Sequence, residues 1–469
     1  MSAVEEIKAP EAIAEPEVKE SVDLWEISNY QIEEPVKENR VEKFLKTFEV
    51  ILEHTNYKAV LDMYARSSVK CGRCSCTCQV YQQTQDPRDV PCYRTHMILD
   101  IYKRYFTMGG WTKALIFGNG DLTEDDIDDM INSFYRCTAC KRCSLECTMG
   151  VDHALITHLG RYILSEMRLP PKALQVSVRA QLEGETRNTS AVPIPAIMNN
   201  LEFLEEEIEE EKGIKIKIPV DKENVEYVFF PPVSDILMEA ETLMGIAYTM
   251  YAAGEGDNWT IGSQNCDAIN YGLFYSDWIL ERNINMLLDE VKRLNGKKIL
   301  IGECGHASRT AKHFVPVFGG EKAVPVVNCV ELAHRNWKAG KLNIEANVID
   351  EKITYHDPCN IARSGWIVDQ PRELVKHFAK NYIEMTPNGV ENYCCGGGGG
   401  TVSIDELHKF RMEIGGKTKA EQLKRTGAEI VVAPCANCKK QLRELVDYHN
   451  IPMQVLGMHD ILYKAITVK

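Results

Sequence analysis

The stretch Tyr393-Cys394-Cys395-Gly396-Gly397-Gly398-Gly399-Gly400 decides how the rest of the chain is read. Adjacent cysteines cannot both serve one tetrahedral zinc without strain, yet they can hold two neighbouring irons of a cluster. The glycines that follow let backbone approach bulky inorganic sulfide, because no Cβ stands in the way. The stretch reads as the cradle of a metal cluster, with a structural zinc or a set of buried thiols as the plain alternative.

Outward from it, His356-Asp357-Pro358-Cys359 lies upstream and Ala433-Pro434-Cys435-Ala436-Asn437-Cys438 downstream, so five cysteines can converge from three turns. Short β-rich runs at 352–355 and 429–432 precede the first and third groups, and helical patterns follow them. These are strand-loop-helix units, and in open α/β sheets ligands gather at the carboxyl ends of the strands.

Cys359, Cys394-Cys395-Gly396 and Cys435-x-x-Cys438 resemble the CCG cysteine-rich domain of heterodisulfide reductase catalytic subunits and their relatives. The resemblance implies a noncubane [4Fe-4S] cluster held by Cys359, Cys394, Cys395, Cys435 and Cys438. It implies, too, a site that binds and cleaves a disulfide-type substrate.

Two further cysteine segments precede this region. Cys137-Thr138-Ala139-Cys140-Lys141-Arg142-Cys143-Ser144-Leu145-Glu146-Cys147 is CxxCxxCxxxC, the spacing with which three thiolates wrap one cubane while the fourth reaches a second. A zinc ribbon would normally stop at two CxxC pairs. The other segment, Cys71-Gly72-Arg73-Cys74-Ser75-Cys76-Thr77-Cys78, is compressed to CxxCxCxC, and Cys92 follows. Nine cysteines are thus available for the eight thiolates of two cubane [4Fe-4S] clusters; which of Cys76, Cys78 and Cys92 is spare the spacing leaves open. Proline usually follows the last cysteine of such motifs. Here Gln79 and Thr148 stand there, so the surroundings are expected to be more polar.

Length and composition agree with this reading. A chain of 469 residues allows two or three domains, and 44% hydrophobic with 26% charged residues is an ordinary globular composition. A net charge of -14 argues against nucleic acid as a partner, since phosphate binding needs clustered Lys and Arg. Seventeen cysteines without an apolar export signal at the N-terminus point to cytoplasmic thiols committed to metal. No stretch approaches the ~20 apolar residues of a membrane span, so membrane association would come through a partner.

In chain order, residues 1–40 are rich in Glu, Pro and Ala and read as a flexible acidic arm. Residues 41–170 carry helical periodicity at 97–105, 124–135 (N-cap Thr123) and 154–164; the resemblance implies that they make the family's α-helical ferredoxin domain, with His153 and His158 as surface or packing residues. Residues 171–225 are a connector with a short acidic helix that turns Leu201, Leu204 and Ile208 to one face. Two α/β halves follow, 226–345 and 346–469. Laid over one another, they place Val233 opposite Cys359, 258–262 opposite 392–396, Cys304 opposite Cys435 and Ala307 opposite Cys438. The fold expected is therefore α/β plus α-helical: a helical two-cluster ferredoxin domain, then two pseudo-symmetric CCG lobes, the first degenerate.

Cys304, with His306 beside it, is a candidate extra ligand or proton-coupled partner from the facing lobe, or a relic. Cys266 and Cys329 read as small buried hydrophobes. Arg363, Lys439 and Lys440 are candidate attractors of an anionic substrate. The full order of domains is similar to the DsrK-type subunits of membrane redox complexes. That likeness implies a membrane cytochrome b partner (DsrM-like), further complex subunits, and a small sulfur-carrier protein (DsrC-like) as disulfide or trisulfide substrate. It implies a position on the cytoplasmic face of the membrane. Alternatives are a heterodisulfide reductase acting on small thiols, the iron–sulfur subunit of a glycolate or glycerol-phosphate oxidoreductase, and a pure electron-transfer module.

Overall fold

A computed structural model describes residues 35–468 except 111, 113–115, 117–119, 183–186 and 269–270. The acidic arm expected over 1–40 falls, as far as residue 34, outside the described residues.

Helices Arg40–His54, Tyr57–Ser67, Pro91–Tyr105, Glu124–Tyr135 and His153–Glu166 bring Phe44, Phe48, Ile51, Tyr102, Phe134 and Ile163 into one core. Burying each such side chain contributes roughly 1.5–3 kcal/mol before ordering entropy is counted. Glu124–Tyr135 starts where Thr123 and Asp126 form a reciprocal capping box. Within His153–Glu166, Gly160 lies under the ring of Phe134, where an added Cβ would stand 2.2 Å from Phe134 Cε2. The connector helix, Ile194–Lys212, turns Ile197, Leu201, Leu204 and Ile208 inward, as the spacing predicts.

The rest of the chain holds two four-stranded parallel sheets. The first contains β1 (Tyr227–Phe230), β2 (Trp259–Ile261), β3 (Lys298–Ile301) and β4 (Val326–Asn328) in the order β2-β1-β3-β4. The second contains β5 (Ile349–Tyr355), β6 (Ala379–Tyr382), β7 (Ile430–Val432) and β8 (Gln454–Leu456) in the order β6-β5-β7-β8. The orders correspond strand for strand. They also correct one part of the expected overlay. β2 pairs with β1 as β6 pairs with β5, so Trp259–Ile261 stands opposite Ala379–Tyr382, and 258–262 is not the counterpart of 392–396. The segment after β2 that takes the corresponding place contains Cys266 and Asp267, and Asp267 accepts from the amide of Val233 at 3.1 Å.

The two sheets share a core: Phe229, Trp259 and Leu300 belong to the same buried cluster as Ile353, Tyr355 and Val432. Helix Ala240–Ala252 packs so closely on Met458–Ala465 that a Cβ at Gly245 would fall 2.1 Å from the carbonyl oxygen of His459. Polar groups tie the same seam. Lys439, wholly buried, donates to Thr242 Oγ1 at 2.6 Å and pairs with Glu239 and Asp235 at 3.3 and 3.7 Å. Glu303 accepts from the amides of Met458 and His459 at 3.1 and 2.7 Å, capping a helix of the other lobe.

Candidate metal-cluster site

Three of the five CCG cysteines, Cys359, Cys435 and Cys438, sit just beyond the carboxyl end of a strand. Chain leaving β5 reaches Cys359 at the start of helix Cys359–Gly365; chain leaving β7 reaches Cys435, the N-cap of Ala436–Tyr448, with Cys438 in its first turn. Cys394 and Cys395 lie in the long segment after β6. All five are buried, between 1% and 6% exposed. The sulfurs of Cys395 and Cys438 are 3.4 Å apart, and Cys394 hydrogen-bonds to both Cys359 and Cys395.

Main-chain amides are aimed at these sulfurs: Gly396 at Cys394 (3.4 Å), Gly397 at Cys395 (3.5 Å), and Gly305 of the first lobe at Cys435 (3.3 Å). Hydrogen bonds from Cys394 and Cys438 hold Cys395 well below its ordinary thiol value, and a bond from Cys438 brings Cys435 down to about 7. N–H···S bonds of this kind stabilise thiolate, the ligand form. The donors fit an iron–sulfur group. Five sulfurs exceed a tetrahedral zinc set, and two buried polar atoms beside them, His356 Nε2 and Arg363 Nη2, have no protein partner.

The helical domain is pressed against this site. A Cβ at Gly398 would stand 2.6 Å from the carbonyl of Thr138, and one at Gly399 would stand 2.6 Å from that of Cys137. The glycine run expected to admit inorganic sulfide is thus shaped, at Gly398 and Gly399, to admit the backbone of the second cysteine segment. Four arginines fasten the contact. Arg161 donates to Gly399 O (2.7 Å) and Cys137 O (2.8 Å), and Arg142 donates to Glu391 O (3.0 Å) with its guanidinium over the Tyr393 ring. Arg309 reaches Ala139 O (3.3 Å), and Arg363 donates to Cys140 O (2.8 Å) and Asn392 O (2.5 Å). Within this seam the thiol of Cys140 hydrogen-bonds to Cys394, which with burial pushes Cys140 up.

The nine ferredoxin-type cysteines fall into two groups and one outlier. Cys71, Cys74, Cys92 and Cys147 line one cavity with Val151 and His153; the amide of Cys92 donates to Cys74 Sγ at 3.2 Å. The Cys74 thiol holds Cys92 down at about 6. Cys78, Cys137 and Cys140 all stand close enough to act on Cys143, beside the buried guanidinium of Arg94; burial pushes Cys78 up to about 11. Cys76 is exposed and joins neither group.

Other expected residues take simpler places. His158 pairs with Leu273 O and Asp277 (3.0 and 2.7 Å), as a packing residue does, whereas His153 pairs through Nδ1 with Thr95 (2.8 Å) and leaves a buried Nε2 without a partner beside the first cysteine group. Cys304 accepts from the Ala307 amide at 3.4 Å and is pushed up by burial, with Cys435 nearby. His306 bonds Asn437 at 2.8 Å and meets the ring of Phe274 edge-on, while burial holds it down at about 3. Cys266 and Cys329 are buried in the shared core. Lys439 is taken up by buried carboxylates, whereas Arg363 donates to main-chain carbonyls through Nε and Nη1 and keeps Nη2, buried beside the CCG cysteines, without a protein partner. Lys440 is exposed.

Sequence reasoning placed Gln79 and His356 beside cysteines but missed what each one holds. Gln79 is buried and donates its side-chain amide to Cys394 O at 3.1 Å and to Gly415 O. A ring nitrogen of His356 and the sulfurs of Cys395 and Cys438 lie within 4.8 Å of one another. Its position three residues before Cys359, at a strand end, was the available signal.

Residues 353–443 match the family model described as CCG, cysteine-rich domain. The chain is 26% identical to an Hdr-like menaquinol oxidoreductase iron-sulfur subunit 2 of Archaeoglobus fulgidus, over 92% of this chain and 84% of that one. It is 23% identical to one subunit of the dihydromethanophenazine:CoB–CoM heterodisulfide reductase of Methanosarcina mazei, over 88% and 96%. It is 21% identical to an EtfAB:quinone oxidoreductase of Syntrophomonas wolfei, over 88% of this chain and 60% of that one. No solved structure matches. Over most of its length the chain is similar to iron–sulfur subunits of Hdr-like and heterodisulfide reductase complexes, and its residues 353–443 carry the CCG cysteine-rich domain. The likeness to a heterodisulfide reductase D subunit is the one the cysteine pattern implied.

Proposed function

We propose that this chain is the catalytic iron–sulfur subunit of a membrane-associated redox complex that reduces a disulfide or trisulfide carried by a small sulfur-carrier protein of the DsrC type. Cys71, Cys74, Cys92 and Cys147 hold one cubane; Cys78, Cys137, Cys140 and Cys143 hold a second; Cys359, Cys394, Cys395, Cys435 and Cys438 hold a noncubane [4Fe-4S] cluster. Cys76 is left without a cluster, and Cys304 supports Cys435 from the facing lobe through the amide that follows it. When bound, these groups supply one-electron carriers and a sulfur-binding redox centre. Two electrons and two protons turn one S–S bond into two thiols, with a quinol as donor through a cytochrome b partner.

The observation that carries the reading is the Cys140–Cys394 contact, which brings the cubane-type segment and the CCG pair to hydrogen-bonding distance. The names of the relatives support it, since one is a menaquinol oxidoreductase subunit and another a heterodisulfide reductase subunit. Among the described residues no helix is long and apolar enough to cross a membrane; the proposed complex carries its membrane anchor in a partner subunit. The burial of all five CCG cysteines favours a second reading, an electron-transfer module without its own substrate.

Iron and acid-labile sulfide quantitation with EPR on anaerobically purified protein tests the proposal. About twelve irons per chain, four for each of three clusters, with a new paramagnetic signal only when the disulfide is supplied, is the expected result. About eight irons, or zinc in place of the remainder, overturns it. Three clusters whose signals ignore every disulfide establish the second reading.

A further inference from the structure

His356 is wholly buried, and its two ring nitrogens have different surroundings. Nδ1 lies 3.4 Å from the side-chain amide nitrogen of Asn392. Nε2, equally buried, has no protein partner. Which nitrogen carries the proton follows from Asn392. That amide nitrogen donates to the carbonyl of Asp357 at 2.7 Å, and the amide oxygen accepts from Lys419 Nζ at 2.7 Å. A carbonyl can only accept, so the orientation of the Asn392 amide is fixed. Its N–H then faces Nδ1, which must accept, and the ring proton belongs on Nε2.

Nδ1 is engaged by Asn392, and a His356 nitrogen lies within 4.8 Å of the sulfurs of Cys395 and Cys438. We infer that His356 donates an Nε2–H···S hydrogen bond to the sulfur of the CCG cluster and is not a nitrogen ligand to its iron. Ligation through Nε2 would require the proton on Nδ1, opposite the Asn392 N–H, and would set two donors against each other. Asn392 and Lys419 are positioning residues, with Asp357 held in turn by the fork of Arg372 at 2.7 and 2.5 Å. Hydrogen bonds to cluster sulfurs stabilise the more electron-rich state and raise the reduction potential. His356 thereby sets the potential of the site where electrons meet substrate.

This inference rests on the third cluster proposed above, so iron content is read first on the native chain. Fewer than about twelve irons there would remove that reading itself, before any variant is made. With three clusters present, the test is an EPR-monitored redox titration and pulsed EPR of the native chain, His356→Leu and His356→Gln. Expected are full iron in both variants, a shift of the CCG cluster to more negative potential in His356→Leu, a smaller shift in His356→Gln, which keeps an N–H donor, and loss of an exchangeable deuteron coupling in His356→Leu. Unchanged potentials in both variants overturn the inference. So does strong nitrogen coupling in the native chain with about four irons lost from both variants, which is the signature of a ligand. If His356→Leu does not fold, His356→Gln and the native deuteron and nitrogen couplings still decide the matter.

Discussion

The side-chain amide of Gln79 donates to the main-chain carbonyl of Cys394 at 3.1 Å, joining the end of the first cysteine segment to the CCG pair. The same nitrogen serves the carbonyl of Gly415. Replacing Gln79 by leucine leaves both carbonyls buried without this donor, at a cost of about 1–3 kcal/mol. Chemical denaturation of the full chain should show the loss for Gln79→Leu, and a native midpoint would refute the link.

The exposed Cys76 and the half-buried Cys92 make opposite predictions, although sequence spacing treats them alike. Cys76→Ser should keep all iron. Cys92→Ser should lose about four irons together with one cubane EPR signal. Iron loss from Cys76→Ser would mean that the ligand grouping is wrong.

Gly398 and Gly399 meet the backbone of Thr138 and Cys137. Alanine at either position forces the helical domain away from the CCG loop, costing about 1–3 kcal/mol for overpacking. Gly399 also has φ +63°, which adds backbone strain. Thermal unfolding gives the cost, and faster alkylation of Cys394 in the iron-free chain should report the opened seam. Native stability and labelling in both variants would contradict the contact.

Lys439 is the buried cation among Asp235 and Glu239. Lys439→Met removes the cation beside Asp235, while Glu239 keeps the fork of Arg443, and should destabilise the fold by about 3–5 kcal/mol, as removal of one partner of a buried pair does. Lys439→Met with Asp235→Asn should recover part of that. If the double variant is as unstable as the single, the pairing is not what Lys439 contributes.

Local signals were legible in the sequence. Thr123 with its capping box, the inward face of Ile194–Lys212, and the strands that end at Cys359 and Cys435 all depend on neighbours within a turn or two of chain. What could not be read were contacts whose partners are far apart. Arg161 meets Gly399 across 238 positions and Gln79 meets Cys394 across 315, and a lone buried polar residue carries no local sign of its partner. The overlay of the two halves fails near 258–262 for a related reason. Matching Asn and Gly there to 392–396 follows residue type, whereas strand pairing fixes Tyr227 beside Trp259 and so places Cys266 in the loop beyond. His356 stands in its motif without a legible role, because its unpartnered nitrogen exists only once Asn392 is folded against it.

The seam of Gly398 and Gly399 against Cys137 and Thr138 also constrains how the molecule is made. The five CCG thiols are flanked on one side by their own lobe and on the other by the helical domain, with four guanidinium groups across the join. For the cluster proposed above, iron and sulfide have a wider path to these thiols before the two halves of the chain close on each other. The glycine run is then a latch as well as a cradle.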